Sequence, residues 1–345
     1  MKLISIQEIR KFLKESENPL FIFDNDGDGL CSYALLYNYI GRGKPFITTG
    51  GNLDDRNIIN KVNDYSPDAI FILDVPVISQ KFIDSLKCRR IVWVDHHPVI
   101  DLKGVYYYNP LVKKQSNYKP TSEICYGISR GKKWIGGLGI IHDYKIPKFI
   151  GDLKKDYKDL FGDAKTIEDI LFNSKFGELV SIVGYNLKGK WSEVKRFIET
   201  FPRIESPYEI FKGTTARGKF IFNKYKIFKK KYDALFDDAM KNGKIKGKLF
   251  VFTYPGYKDS FTGELAAHLK YKLRDKIILV GRDKGDEVRF SIRGNTPIRD
   301  MAKKALENVN GRGGGHPMAV GGSVKKYDFY KFVDLFLREI MKKQP

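Results

Sequence analysis

Short apolar runs alternate with amphipathic stretches through the first third of the chain. Residues 19–23, 69–73 and 90–94 are rich in β-branched and aromatic side chains and bounded by turn-forming residues. Such runs read as strands buried on both faces. Residues 45–49 and 105–108 add two more strands, and helix-period patterns cover 6–15, 30–40 (stopped at Gly41), 54–64 and 78–86. Strand and helix periods alternating at this spacing predict βαβ units around a parallel sheet.

A helix is expected from 120 through 126, opened by a hydroxyl N-cap in Thr121-Ser122, and another over 134–141. From about 152 to 243 the pattern is mostly helical and strongly basic. A second α/β unit starts near Lys246, with strands at 248–254, 276–280 and 287–293. Its helices are expected over 263–273, 298–308 and 327–342. The expected organisation is therefore an α/β domain with a parallel sheet over 1–185, a helical connector over 186–245, and a smaller α/β domain over 246–345.

Composition narrows the class. The chain of 345 residues with 42% hydrophobic residues can fill two ordinary cores. No apolar stretch approaches the roughly 18 residues that span a bilayer. The first residues lack the apolar region and cleavage site of a signal peptide. The three cysteines, Cys31, Cys88 and Cys125, lie far apart among apolar neighbours, form no CxxC and are odd in number. A cytoplasmic protein without disulfides is the expectation. With 62 basic against 41 acidic residues the net charge is +21, which attracts polyanions such as nucleic acid.

The chemistry concentrates where the early strands end. The run 19–23 stops at Asp24, 69–73 stops at Asp74, and 90–94 stops at Asp95-His96-His97. Parallel strands in an open α/β sheet place their carboxyl ends along one edge, where ligands bind. Carboxylates gathered there repel one another and raise each other's pKa values. A cation resolves the conflict, and carboxylate with imidazole suits Mn, Zn or Fe. Asp24-Asn25-Asp26-Gly27-Asp28-Gly29 also resembles the opening of a calcium-binding EF-hand loop. That loop needs a bidentate Glu at its twelfth position, which here is Leu35, and a helix before it, where this chain has a strand.

Two stretches further along bear on phosphate. Residues 220–232 interleave lysines with aromatics, as single-strand grooves do. A connector helix with its rings inward gives the same pattern. Gly311-Arg312-Gly313-Gly314-Gly315-His316 fails the register of a dinucleotide fingerprint, since a helix and not a strand precedes it. Consecutive glycines beside Arg312 and His316 suit a backbone nest around an anion.

In sequence order, Asp24-Asn25-Asp26-Gly27-Asp28-Gly29, Asp74, Asp95-His96-His97 and Leu138-Gly139-Ile140-Ile141-His142-Asp143 resemble the four motifs of the DHH phosphoesterases. Ser291-Ile292-Arg293 and the glycine cluster through Gly322 resemble their DHHA1 substrate-binding module. The first motif opens with Asp24 where smaller oligonucleotide phosphatases place a histidine, so the chain is most similar to RecJ-like nuclease cores. Type II pyrophosphatases share only the first domain. Bacterial RecJ carries an OB-fold domain after this core. Without it, grip on long strands would fall to the lysine-rich 220s or to a partner.

The resemblance implies two divalent cations, Mn²⁺ ahead of Mg²⁺, held by Asp24, Asp26, Asp28, Asp74, Asp95, His96 and Asp143, with Asp74 bridging. Asp95, His96 and His97 would form the catalytic group, His97 as phosphate contact, as a donor behind the ligands or as acid. Arg293, Gly313, Gly314, Gly315 and His316 would hold the terminal phosphate. The implied reaction is exonucleolytic hydrolysis of single-stranded DNA or RNA to nucleoside monophosphates. Hydrolysis of very short RNA or cyclic dinucleotides and a scaffold role in a replication complex are the alternatives. A replication or repair partner is compatible with any of them, and no membrane is involved.

Overall fold

The computed structural model describes all residues except 49–52, 115, 257–258 and 343–345. The chain divides into two compact units, Met1–Tyr225 and Lys226–Pro345, and the division falls inside the long helix Ala216–Asn242. Residues 186–225 of the expected connector pack within the first unit, where Asn186 Nδ2 donates to Ile221 O (3.0 Å) and Lys224 Nζ to Asn186 O (2.9 Å). Among the described residues no helix is long and apolar enough to cross a membrane.

The first unit is built on a six-stranded parallel sheet. Its strands are β1 (Lys2–Leu3), β2 (Pro19–Asp24), β3 (Lys44–Thr48), β4 (Ala69–Leu73), β5 (Ile91–Val94) and β6 (Tyr106–Tyr108), in the order β1-β6-β5-β4-β2-β3. The last residue expected in β3, Thr49, lies outside the described residues. From β2 the chain first steps outward to β3, then returns to the other side with β4, β5 and β6. That reversal makes β2 and β4 the topological switch point, where α/β sheets open a crevice at their carboxyl ends. The apolar runs form these strands because both faces are covered. Phe21, Ile22, Phe71, Ile72, Val92 and Trp93 are fully buried, each worth about 1.5–3 kcal/mol relative to exposure.

The second unit holds a mixed sheet of β7 (Lys244–Lys246), β8 (Leu249–Pro255), β9 (Ile277–Asp283), β10 (Glu287–Arg293), β11 (Gly311–His316) and β12 (Ala319–Lys325). Its order is β11-β12-β10-β9-β8-β7, with only β8 and β9 parallel. Leu279, Val288, Phe290, Ile292 and Val324 pack one face of it against the helices Arg299–Leu306 and Phe329–Lys342. On the opposite face the helix Thr262–Lys272 comes close to Ser291 and Arg293 at Gly263.

Two expectations change here. The glycine cluster is not a loop with a nest of amides but one arm of an antiparallel hairpin, β11 against β12, at the sheet edge. Space dictates the glycines. A Cβ on Gly311 would lie 3.0 Å from Leu306, one on Gly313 3.0 Å from Leu306, and one on Gly322 2.4 Å from Arg312 O. The helix expected to open with a hydroxyl cap, Thr121–Ser129, has Pro120 at its N-cap and no side-chain cap bond of its own.

The lysine–aromatic stretch is a helix with its rings turned inward. Tyr225, Phe228 and Tyr232 are buried while Lys226, Lys230 and Lys231 face solvent.

Candidate metal centre

The carboxyl ends of β2, β4 and β5 lie side by side. Asp24 ends β2, Asp74 follows β4 and Asp95 follows β5. Asp74 leaves its strand with φ of +61°, a left-handed conformation uncommon outside glycine and concentrated at functional sites. Its amide still donates to Val94 O at 3.1 Å, so the turn is anchored on β5.

Directly after β2 the helix Gly27–Ile40 begins. Asp26 caps it by accepting from Gly29 N at 2.9 Å, which commits that carboxylate to the helix end. Asp28, in the first turn of that helix, is 1% exposed and accepts from Thr121 N and Ser122 N, each at 2.8 Å. The missing side-chain cap of Thr121–Ser129 is thus replaced by a carboxylate from another helix, which suits the positive end of the helix dipole. Thr121 also donates its hydroxyl to Asp74 Oδ1 at 3.0 Å.

His96 reaches into this cluster. Its Nδ1 lies 3.5 Å from Asp28 Oδ2 and 3.6 Å from Asp74 Oδ1, and its Nε2 lies 4.0 Å from Asp143 Oδ2. Asp143 sits at the C-cap of the helix Lys133–His142, where Tyr118 donates its hydroxyl to the carboxylate. Among the described residues, two sets have ligand atoms within 4.8 Å of one another: Asp28 with His96 and Asp143, and Asp74 with His96 and His97.

The remaining sequence candidates stand differently. Asp95 is fully buried and turns both oxygens to His97, accepting from its amide (3.0 Å) and lying 2.8 Å from its Nδ1. It therefore orients His97, while His97, expected outside the ligand set, joins one of the converging sets. Asp24 lies outside both sets, with its backbone against Gly29, where a Cβ would meet Asp24 O at 2.6 Å. Asp26 lies outside them too, yet its charge is felt by Asp28, Asp74 and Asp143.

Burial and mutual repulsion raise the carboxyls of Asp28, Asp74 and Asp143 above the ordinary carboxylate range. Burial first, then the charges of Asp143 and Asp26, push Asp28 up to about 8. Burial, then the charges of Asp28 and Asp26, hold Asp74 well above the carboxylate range. Burial and Asp26 push Asp143 up to about 6 against the lowering effect of Tyr118. Burial disfavours the charged form of His97, but the Asp95 hydrogen bond and the surrounding carboxylates outweigh it and raise the imidazole above its ordinary value. Carboxylates that repel one another at this range, with imidazole nitrogens beside them, fit divalent cations, which would neutralise the excess charge.

The second unit gathers basic and small residues on the sheet face away from its core. In register across the strands, Arg289 stands opposite Ser323 and Ser323 opposite Arg312. Ser291 stands opposite Gly321, and Arg293 opposite Ala319, which pairs with His316. No heavy atom lies within 4 Å of a Cβ built on Gly314, and Gly315 has φ of +137°. Arg293 Nη2 lies 3.7 Å from the Cβ position of Gly263, near the start of Thr262–Lys272. Arg293, Gly313, Gly314, Gly315 and His316 therefore share one region of this unit, on or beside the edge hairpin.

Comparison with known proteins agrees with both halves. Residues 246–342 match the DHHA1 domain family. RecJ from Thermus thermophilus in complex with Mn²⁺ superposes over 99% of this chain with a TM-score of 0.72 and 14% identity; the chain spans 55% of that protein's length. An exonuclease RecJ bound to manganese matches over 100% of this chain and 96% of its own, with a TM-score of 0.64 and 14% identity. This is a RecJ-like DHH fold carrying a DHHA1 domain. The same fold is shared with the pGpG-specific phosphodiesterase PggH from Vibrio cholerae, at a TM-score of 0.51 and 11% identity over 94% of this chain and 99% of that one. No curated protein matches the sequence.

Within this DHH fold, sequence reasoning missed the residues that hold the centre together. Tyr118 bonds Asp143 and packs edge-on to His96 at 5.1 Å. Thr121 and Ser122 bind Asp28 mainly through backbone amides, which no residue pattern advertises. Asn109 donates to His97 O at 2.9 Å. Its position just after a strand was the one available signal.

Proposed function

We propose that the protein is a metal-dependent phosphodiesterase that trims single-stranded DNA or RNA from one end and releases nucleoside monophosphates. The observation that carries this reading is the convergence of Asp28, Asp74, His96, His97 and Asp143 at the switch point of the sheet. Asp28, Asp74, His96 and Asp143 would hold two divalent cations, Mn²⁺ ahead of Mg²⁺, with Asp24 and Asp26 adding negative charge close by. Bound there, the cations would supply Lewis acidity to the phosphoryl oxygens and make water a stronger nucleophile near neutral pH.

The protein's own residues do the rest. His97, held by Asp95 and with its imidazole pKa raised by the Asp95 hydrogen bond and the nearby carboxylates, is placed to give a hydrogen bond to the phosphate. Thr121 and Ser122 fix Asp28, and Tyr118 fixes Asp143, so the carboxylates keep their places while charge develops on the substrate. In the DHHA1 domain, Arg293, His316 and the glycines of the edge hairpin would take the terminal phosphate, with no side chain at Gly314 to keep an anion from the backbone. A replication or repair assembly is the setting in which such trimming fits.

Similarity to a pGpG-specific phosphodiesterase favours a second reading, in which the substrate is a dinucleotide. End-labelled DNA and RNA of two to thirty nucleotides, digested with Mn²⁺ and with chelator, separate the two. Stepwise loss of mononucleotides from long strands supports the first, and turnover confined to the shortest substrates supports the second. Absence of Mn²⁺-stimulated hydrolysis on every substrate overturns both.

A further inference from the structure

The sheet edge that carries the acids does not end at them. Beyond β5 the order continues through β6 to β1, and at the carboxyl ends of those two strands lies a cavity of about 710 Å³. This is within the range of small-molecule sites. Its charge is the reverse of the metal centre's. Arg10, Lys113, Lys119 and Arg130 line it, and no aspartate or glutamate does among the described residues.

Lys113, Lys119 and Arg130 have no ion-pair partner among the described residues, whereas Lys132 and Lys145, close by in sequence, do. Arg10 is fixed in place by donating to Ile128 O (2.8 Å) and Gly127 O (2.9 Å). Four cations facing one cavity repel one another, and a polyanion relieves that repulsion.

Two covalent or hydrogen-bonded links tie this cavity to the metal centre. Asn109, in its wall, donates to His97 O, and Lys119 follows Tyr118, whose hydroxyl holds Asp143. With strands about 4.8 Å apart, β1 stands roughly 10 Å from β5 along the edge. A strand whose scissile phosphate sat at the metal centre would therefore bring a neighbouring phosphate to the basic cavity.

Resting on the phosphodiesterase reading above, we infer that this cavity is a second nucleotide subsite. It binds the backbone phosphate and sugar next to the linkage being cut, with Lys113, Lys119 and Arg130 as phosphate contacts and Tyr108 beside them. The occupant is a phosphate of the substrate strand. A free polyphosphate shares the chemistry and is the competing source.

The test is fluorescence anisotropy of labelled hexathymidylate, without divalent metal, across a salt series. Wild type is compared with Lys113→Glu/Arg130→Glu, both positions being exposed. Charge reversal at two phosphate contacts should weaken binding at least about tenfold and lower the slope of log K against log salt by about 1.4. A lost helix or a poor fold would show in circular dichroism and melting, and Lys113→Gln/Arg130→Gln should then give the same flatter slope.

Equal affinity and slope in the variants, or no binding of the hexamer by wild type, overturn the inference. Loss of tripolyphosphate binding with hexamer binding intact also overturns it and assigns the cavity to a free ligand. Since no arm depends on turnover, failure of hydrolysis condemns the proposed activity and leaves the subsite to be decided by binding alone.

Discussion

Asp95 Oδ1 lies 2.8 Å from His97 Nδ1, while its Oδ2 accepts from the His97 amide at 3.0 Å. One buried carboxylate thus fixes both the ring and the backbone of the neighbouring histidine. Asp95→Ala removes both acceptors. Turnover of an end-labelled oligonucleotide should fall by at least about 100-fold, the scale of a lost positioned acid or base. The far-ultraviolet dichroism should be unchanged, and the His97 pKa, followed by NMR, should drop. Hydrolysis at the wild-type rate would remove Asp95 from the mechanism.

The metal-free protein should lose stability as pH rises. Asp28 stands at about 8 and Asp143 at about 6 in the fold, against an ordinary value of 3.8. A carboxyl raised on folding favours the native state while protonated, and that advantage is lost as pH rises through the folded value. With chelator, the melting temperature should fall between about pH 4 and pH 8, more steeply than in Asp28→Asn. Added Mn²⁺ should raise it most at the alkaline end, because ligation requires the deprotonated carboxylates. A melting temperature that climbs over this range in chelator, with no difference between the two proteins, would contradict the picture.

Gly29 marks where the helix Gly27–Ile40 meets the end of β2. An alanine Cβ there would lie 2.6 Å from Asp24 O and 3.0 Å from Asp24 N. Those atoms belong to a strand end and cannot swing aside. Crowding of this kind costs about 1–3 kcal/mol, at least as much as the roughly 1 kcal/mol that alanine gains in a helix. Gly29→Ala should lower the urea midpoint and weaken Mn²⁺ binding together, since the shift moves Asp24, Asp26 and Asp28. Denaturation and metal titration of the same preparation check it.

In the second unit His268 stacks on Phe236 at 4.2 Å and lies 3.0 Å from the Tyr232 hydroxyl through Nδ1. Burial, then Lys272 and Lys229, depress its pKa from 6.5 to about 4. A histidine depressed on folding costs stability as pH falls from its unfolded value toward its folded one. The urea midpoint of this unit should decline from pH 6.5 to pH 4, and His268→Phe should flatten that decline. Equal slopes in the two proteins would show that the imidazole carries no such linkage.

What the sequence disclosed follows from what each signal depends on. Strands buried on both faces are unbroken apolar runs, so β2, β4 and β5 and the acids at their ends could be read directly, and the parallel sheet followed from their alternation with helices. The seat of Asp28 could not, because its partners are mostly amides of a helix more than ninety residues away. Glycines in the hairpin looked like a loop because a run without side chains carries no period. Their reason is the approach of Leu306 and Phe290, which only the packed sheet supplies. Asp95 was read as a ligand since nothing in a sequence says which way a carboxylate turns.

The tie between Asp28 and the Thr121–Ser122 amides bears on how the centre comes into being. Asp24, Asp26, Asp28 and Asp74 emerge from the ribosome well before residue 121, and Asp143 later still. Until the helix Thr121–Ser129 docks, the growing chain offers cations only loose, mobile carboxylates of low affinity. Tight loading must then coincide with closure of the unit, so chains arrested or truncated before that helix should be nearly blind to Mn²⁺.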